Sequence, residues 1–231
     1  MTAGLATPPG ERAAAIVLVR HASTAWSGRR YCGRSDPWLD AAGRLAADRL
    51  AAELAAEMSG EAPVDGLEQG PPRLVSSPRR RARQTSAAIA RLAGIERVEI
   101  DDRWREVDFG SAEGRRFDQL QARAPALAAR LLGGEADIDW PDGERHRDLL
   151  ARVESAWRSI IEAAAPCIVV THAGPMRIAL ALASGRPLAE IDLPAPGAVV
   201  RLPAGLSGSA VTHPDRNVLV DRAEQERLVP R

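Results

Sequence analysis

The sequence predicts an α/β fold of three layers, α/β/α, around a mostly parallel central sheet, and three observations predict it. Short apolar runs alternate with longer stretches of helical periodicity, the arrangement that builds βαβ units. Two of those runs, Ile16 to Val19 and Cys167 to Val170, end on Arg20-His21 and Thr171-His172. Open α/β sheets bind ligands at the carboxyl ends of their strands, so two histidines delivered to that edge point to one shared site. Finally, 231 residues with 45% apolar content suffice to bury one sizeable core, so a single domain is expected.

Residues 1–14, rich in Pro, Gly and Ala, read as a flexible N-terminus, and the domain is expected over residues 15–222. After the first strand, Asp40 to Met58 spaces Leu50, Leu54 and Met58 by four, which lays an apolar stripe along one helical face. Ser59 to Pro72 is dense in Gly, Pro and acidic residues and reads as a surface loop. Arg73 to Ser76 is a strand, Arg80 to Leu92 a helix stopped by Gly94, and Val98 to Asp101 another strand. From Asp102 to Pro141 the pattern loosens. One helix is expected there, from Phe117 to Leu132 around Pro125 and ended by Gly133-Gly134, as an insertion over the sheet. A long helix from Gly143 to Ala164, capped by Asp142, shows Leu150, Val153, Trp157 and Ile160 or Ile161 at helical spacing. It leads into the strand Cys167 to Val170. Gly174-Pro175 then opens a helix to Ala183, with Gly185 beyond its end. Val199 to Leu202, Gly208 to Thr212 and Val218 to Val220 read as short closing strands, and residues 223–231 as a tail. The terminal Leu228-Val229-Pro230-Arg231 matches either a protease-cleavage remnant or a native polar end.

Composition narrows the function classes. The 31 basic residues balance 31 acidic ones, so no overall field favours nucleic acid or an anionic membrane. Every basic residue is arginine and none is lysine, a compositional bias that makes arginine alone weak evidence. Arg79-Arg80-Arg81 with Arg83 lacks interleaved aromatics and reads as a solvated helix start, not a nucleic-acid patch. No secretory signal is evident, and no run approaches the roughly 20 apolar residues that span a bilayer. A cytoplasmic protein is expected. Cys32 and Cys167 have no metal-ligand spacing and read as free thiols. A homodimer is allowed but not specified by anything in the sequence.

Five ordered blocks carry a resemblance. They are Arg20-His21-Ala22-Ser23-Thr24; Tyr31-Cys32-Gly33-Arg34-Ser35-Asp36; Ser76-Ser77-Pro78 followed by Arg81-Ala82 and Thr85; Glu106 in Arg105-Glu106-Val107-Asp108-Phe109-Gly110 with Glu113-Gly114; and Thr171-His172-Ala173-Gly174. In this order they resemble the motifs of the histidine phosphatase superfamily, which includes phosphoglycerate mutases and α-ribazole phosphatases. Residues 30–36 and the Asp142-Gly143-Glu144 block look most like the α-ribazole and broad-specificity branch. The resemblance implies a phosphoglycerate mutase-like fold and phosphomonoester hydrolysis through a phosphohistidine intermediate, on α-ribazole 5'-phosphate or another small phosphorylated metabolite. A cofactor-dependent mutase and a non-catalytic phosphate-binding protein are the alternatives.

The chemistry suits the residues. A phosphomonoester dianion repels nucleophiles until fixed donors neutralise its oxygens, and the planar, permanently charged forks of Arg20 and Arg81 do this. His21 would attack phosphorus while unprotonated, splitting one difficult displacement into two. A backbone carbonyl on its other nitrogen would fix the tautomer. Glu106 would protonate the leaving oxygen and then deprotonate the attacking water; Asp108 is the local competitor. The resemblance places His172 on an equatorial phosphate oxygen, with the backbone N–H groups of Ala173 and Gly174 beside it at a helix start. Thr24, Ser27, Cys32 and Gly33 complete the expected substrate contacts. No cofactor and no metal are expected, since the acidic residues lack the spacing of a metal site.

Other candidates read blandly. His146 and His213 are expected to be structural or exposed, Glu144 either touches substrate or complements a helix dipole, and Trp26, Tyr31, Trp38 and Trp140 are packing residues of which one or two could line an apolar slot. Four positions depart from the family pattern: Ala22 where glycine is usual, Ser23 for glutamate, Arg79 for leucine and Ala112 for tryptophan. Ala22 fits if its φ is negative.

Overall fold

A computed structural model describes residues 16–59, 71–135 and 137–202. Five strands form one sheet: β1 (Ile16–Arg20), β2 (Arg73–Ser76), β3 (Val98–Ile100), β4 (Cys167–Thr171) and β5 (Val199–Leu202). Their order is β3-β2-β4-β1-β5, with all pairs parallel except the antiparallel β5 at one edge. Every residue of β1 and β4 is buried, as expected for central strands covered on both faces.

Because successive side chains point to opposite faces, the alternation along each strand divides the core in two. Val17, Val19, Leu74, Ile168 and Val170 face one helical layer, α1 (Ala41–Met58) and α2 (Arg80–Ala93), meeting Leu50, Leu54 and Ile89. Ile16, Leu18, Val75 and Val169 face the other, built from α5 (His146–Glu162) and α6 (Ala173–Ser184) and reached also by the insertion. This is the expected α/β/α sandwich. Leu50 and Leu54 are buried, which contributes about 1.5–3 kcal/mol each; Met58, at the end of the stripe, is half-buried.

Local chemistry sets the helix ends. The Asp40 carboxylate caps α1 by accepting from the Gly43 N–H at 2.6 Å. Gly94 and Gly185 close α2 and α6 in left-handed conformations that other residues adopt at a cost. Two expectations about helices need correction. Between residues 117 and 132 there are two helices, α3 (Phe117–Arg123) and α4 (Pro125–Leu132), because the residue before a proline is driven out of helical geometry; Ala124 sits at φ −138°, ψ 66°. And α5 starts at His146 instead of Gly143: Asp142 lies in a turn at φ +57°, and the residue at the cap position is Arg145, without a side-chain cap. On α5 the buried stripe uses Leu149, with Leu150 half-buried.

The insertion covers the carboxyl end of the sheet and supplies Glu106, Val107, Phe109, Ile138 and Trp140 to a cavity there. The expected strands 208–212 and 218–220, His213, the N-terminal residues, the tail and most of the 59–72 loop lie outside the described residues. Among those described, no helix is long and apolar enough to cross a membrane.

Candidate active site

Parallel pairing of β1 with β4 sets Arg20 opposite Thr171, so the next residue of each strand, His21 and His172, meet at the sheet edge. Their ring centroids are 4.9 Å apart and the rings are inclined at 62°. The His21 N–H donates to the Thr171 carbonyl at 2.9 Å, which locks the two strand exits together.

His21 Nδ1 lies 2.7 Å from the carbonyl oxygen of Ala22. A carbonyl can only accept, so Nδ1 carries the proton. Arg81 Nε points at His21 Nε2 at 3.2 Å, and a guanidinium only donates, so Nε2 presents its lone pair. Two independent partners thus specify one tautomer. Burial above all, then the charges of Arg81 and Arg20, hold the His21 pKa well below 6.5, which keeps the ring neutral.

The same Arg81 Nε also donates to His172 Nδ1 at 3.2 Å, while His172 Nε2 donates to Ser77 Oγ at 2.7 Å. Burial, then Arg81 and His21, push the His172 pKa well down too. His172 is fully buried and does not itself line the cavity; in this arrangement it reaches the cavity through Arg81. Arg81 Nη1 donates to the Ser35 carbonyl at 2.8 Å, and Nη2 to those of Cys32 at 2.9 Å and Gly33 at 3.4 Å. That carbonyl loop is fixed in turn by Glu113, whose carboxylate accepts from the N–H groups of Gly33 and Ser35 at 2.9 and 2.8 Å. Gly33 is therefore engaged by the protein and does not line the cavity. A Cβ there would collide with the Val107 carbonyl, so the close approach requires glycine.

Glu106 follows a short turn at Asp102–Trp104 and lines the cavity. Its Oε1 accepts from its neighbour's N–H on Val107 at 3.0 Å and from Gly174 at 3.3 Å. Burial raises its pKa above 4.5 against these hydrogen bonds and the arginine charges. The Gly174 N–H thus meets a carboxylate, where a phosphate oxygen was expected, and a Cβ at 174 would sit 2.7 Å from Glu106 Oε1. Asp108 is turned away, accepting from Gly110 N–H at 2.9 Å and pairing with Arg34 at 3.3 Å, and does not line the cavity.

Arg20, Thr24, Ser27, Cys32 and Ala173 all line the cavity. Arg20 is buried, with Nη1 donating to the Pro194 carbonyl at 2.5 Å. Ser27 Oγ accepts from the Thr24 N–H at 3.0 Å. Burial pushes the Cys32 thiol up to about 11, and both cysteines are free. Ala22 has no positive φ, since among the described residues only Asp142 and Ala164 do so without being glycine. Ser23 Oγ donates to the Asp40 cap at 2.9 Å, so this departure serves the start of α1.

Two residues, Arg152 and Arg177, escaped the sequence reading, and His146, expected to be structural or exposed, belongs with them at the site. Arg152 on α5 donates to the carbonyls of Arg103 and Arg105 at 2.7 Å and of Glu106 at 3.2 Å, and forms a bidentate pair with Glu144 at 2.6 and 2.8 Å. Glu144 accordingly is engaged by Arg152 and does not line the cavity. Arg177, buried on α6, lines the cavity, as does the half-buried His146. In an arginine-only chain nothing local marks Arg152 or Arg177. Among the described residues no group of three or more His, Cys, Asp or Glu could hold a metal ion.

A two-histidine, arginine-clamped pocket at the carboxyl edge of a parallel sheet, with a buried carboxyl group beside it, is the equipment of a phosphoryl-transfer protein. Residues 16–202 match the model of the histidine phosphatase superfamily, branch 1, and the chain belongs to that family. Among curated relatives, the bifunctional protein Rv2228c of Mycobacterium tuberculosis is 36% identical over 73% of this chain and 43% of its own length. A probable phosphoglycerate mutase GpmB of Citrobacter koseri is 33% identical over 64% of this chain and 63% of its own. The chain thus spans about half the length of the curated relatives it matches. Among solved structures, a mycobacterial glucosyl-3-phosphoglycerate phosphatase complexed with VO3 superposes with a TM-score of 0.67 at 26% identity, over 82% of this chain and 92% of that one. A putative α-ribazole-5'-P phosphatase from Escherichia coli shares the fold, with a TM-score of 0.65 at 23% identity over 85% and 97%.

Proposed function

We propose that this chain hydrolyses phosphomonoesters through a phosphohistidine on His21. The observation that carries the reading is the unprotonated Nε2 of His21, facing the Arg81 guanidinium in a neutral ring whose other nitrogen is bonded to the Ala22 carbonyl. In the first step Nε2 attacks phosphorus, the ester P–O bond breaks, and the proton on Glu106 passes to the leaving oxygen. In the second, the Glu106 carboxylate takes a proton from water, the water oxygen attacks phosphorus, and the N–P bond breaks to release phosphate. Arg81 and Arg20 neutralise the transferring oxygens, His172 holds Arg81 in place, and Thr24, Ser27, Cys32 and Ala173 border the phosphoryl position. The scheme routes no step through a metal. α-Ribazole 5'-phosphate and glucosyl-3-phosphoglycerate are substrates to try, because relatives of this fold carry those names.

The test is acid-free quenching during turnover of a 32P-labelled ester. Alkali-stable, acid-labile label is expected on His21, and His21→Asn is expected to abolish both label and turnover. Label on another side chain, or undiminished turnover in the variant, overturns the reading. The name of the GpmB relative favours a second reading, mutase activity. It requires isomerisation of phosphoglycerate that depends on a bisphosphate primer, and binding without turnover would indicate a non-catalytic phosphate binder.

A further inference from the structure

Beyond the phosphoryl position the cavity changes character. Aromatic residues make up only 3% of the chain, yet its single tyrosine, Tyr31, one of its two phenylalanines, Phe109, and two of its five tryptophans, Trp26 and Trp140, line this one cavity. Tyr31, Phe109 and Trp140 pack against one another with centroids 4.7 to 5.4 Å apart, Phe109 and Trp140 edge to face at 89°. Mutual packing fixes the three rings, so the slot they bound is preformed. Ile138, Leu149 and Ile178 also line the cavity.

The polar inventory is equally selective. Among the described residues no Asn, Gln or Asp lines the cavity and Glu106 is its one carboxyl group. Away from the phosphoryl position the polar lining is Arg30, Arg177, His146 and the Tyr31 hydroxyl, so a sugar or polyol would find donors but few acceptors for its hydroxyl protons, and each buried hydrogen bond left unmade is a penalty against binding. An aromatic ring instead meets ring faces and edges whose opposite partial charges complement its own. At the mouth, Arg30 stands over the Trp26 ring at 5.9 Å and donates to the Gly114 carbonyl at 2.7 Å, so Trp26 is held as a rim.

We propose that this slot receives an aromatic ring on the leaving alcohol, making short-armed aromatic phosphomonoesters the preferred substrate class, with Trp140 and Phe109 as the specificity-determining side chains. The inference rests on the phosphatase reading of the same site. It concerns the alcohol side of the ester, which that reading leaves open.

The experiment compares 2-phenylethyl phosphate with ethyl phosphate and glycerol 3-phosphate on the unmodified chain. All three leave as aliphatic alcohols, so differences in kcat/KM report the slot and not the ease of bond breaking. Phenylethyl phosphate is expected to exceed both by at least about tenfold, the scale on which apolar pockets discriminate. Trp140→Ala should collapse the ratio. Because Trp140 also packs the fold, Leu193→Asp, at a half-buried position lining the same cavity, provides a second variant that should collapse it by putting a charge in the wall. Equal rates, a preference for glycerol 3-phosphate, or a ratio that survives both variants overturns the slot and leaves the phosphatase reading standing. Hydrolysis of none of the esters removes the phosphatase reading itself and the slot with it.

Discussion

A histidine acts as a nucleophile only through a bare nitrogen, and at His21 that state has a donor-acceptor cause and an electrostatic one. The Ala22 carbonyl and the Arg81 guanidinium choose the tautomer, and burial with two arginines keeps the ring neutral below its ordinary pKa. Glu106 has the opposite displacement: burial favours its protonated form, the form a proton donor needs. The kcat/KM profile should therefore fall on the acid side as His21 gains a proton, at a pH below 6.5, and on the alkaline side as Glu106 loses one, at a pH above 4.5. Glu106→Gln is expected to lower kcat by about 10²–10⁴ and to remove the part of the alkaline limb that wild type shows in excess of the ester's own ionisation. A limb identical in both proteins would assign the proton to another group.

At the scale of elements, Glu106, the proposed proton donor, sits on an irregular segment that α5 holds in place. Arg152 ties three carbonyls of residues 103–106 to the helix while Glu144 neutralises it, and both side chains are nearly buried. Arg152→Ala leaves the Glu144 carboxylate with only the longer contacts from Arg105 at 3.4 Å and the Asp108 N–H at 3.3 Å, and is expected to cost about 3 kcal/mol, read as a lower urea midpoint, with a fall in kcat that exceeds any change in KM. Arg158→Ala on the same helix breaks an exposed pair with Glu154 and should cost at most about 1 kcal/mol. Equal losses would show that burial of the Arg152 pair contributes nothing. These elements also show what the sequence makes legible. Apolar strands, the alanine-rich α1 and glycine-ended α2 and α6 declare themselves through local periodicity and local stops. The split at Pro125 was locally encoded too, in the conformational limit on Ala124. The start of α5 was not, because Asp142 is drawn into a turn by backbone bonds from Gly143 to Trp140 and from Glu144 to Asp108, and no adjacent residue announces the latter. The motifs located His21, Arg81, Glu106 and His172 at the site, whereas the Gly33 N–H went to Glu113 and the Gly174 N–H to Glu106. Such pairings across 80 or 68 residues have no signature in a short window.

For the molecule as a whole, two neutral histidines inside the core make folding depend on pH. In the unfolded chain each titrates near 6.5, and in the folded one each binds its proton only well below that value. Between those limits the unfolded chain holds more protons, so their contribution to stability is present above about pH 6.5 and is lost as pH falls beneath it. Glu106 contributes with the reverse sign, its protonated burial becoming less favourable as pH rises above 4.5. The melting temperature is expected to drop between about pH 7 and about pH 5, and His172→Gln should flatten that slope; an unchanged slope would mean that the His172 ring is not buried uncharged.

The insertion of β4 between β1 and β2 has a further consequence for how the protein comes into being. Ile16 pairs with Cys167, so the two halves of the reactive centre are made at widely separated moments of translation. A nascent chain that has emerged only as far as α4 carries His21 on a strand whose central neighbour does not yet exist. Contacts of such long range form late. The arrangement that brings His21 beside His172 therefore arrives only with the closing of the sheet's middle.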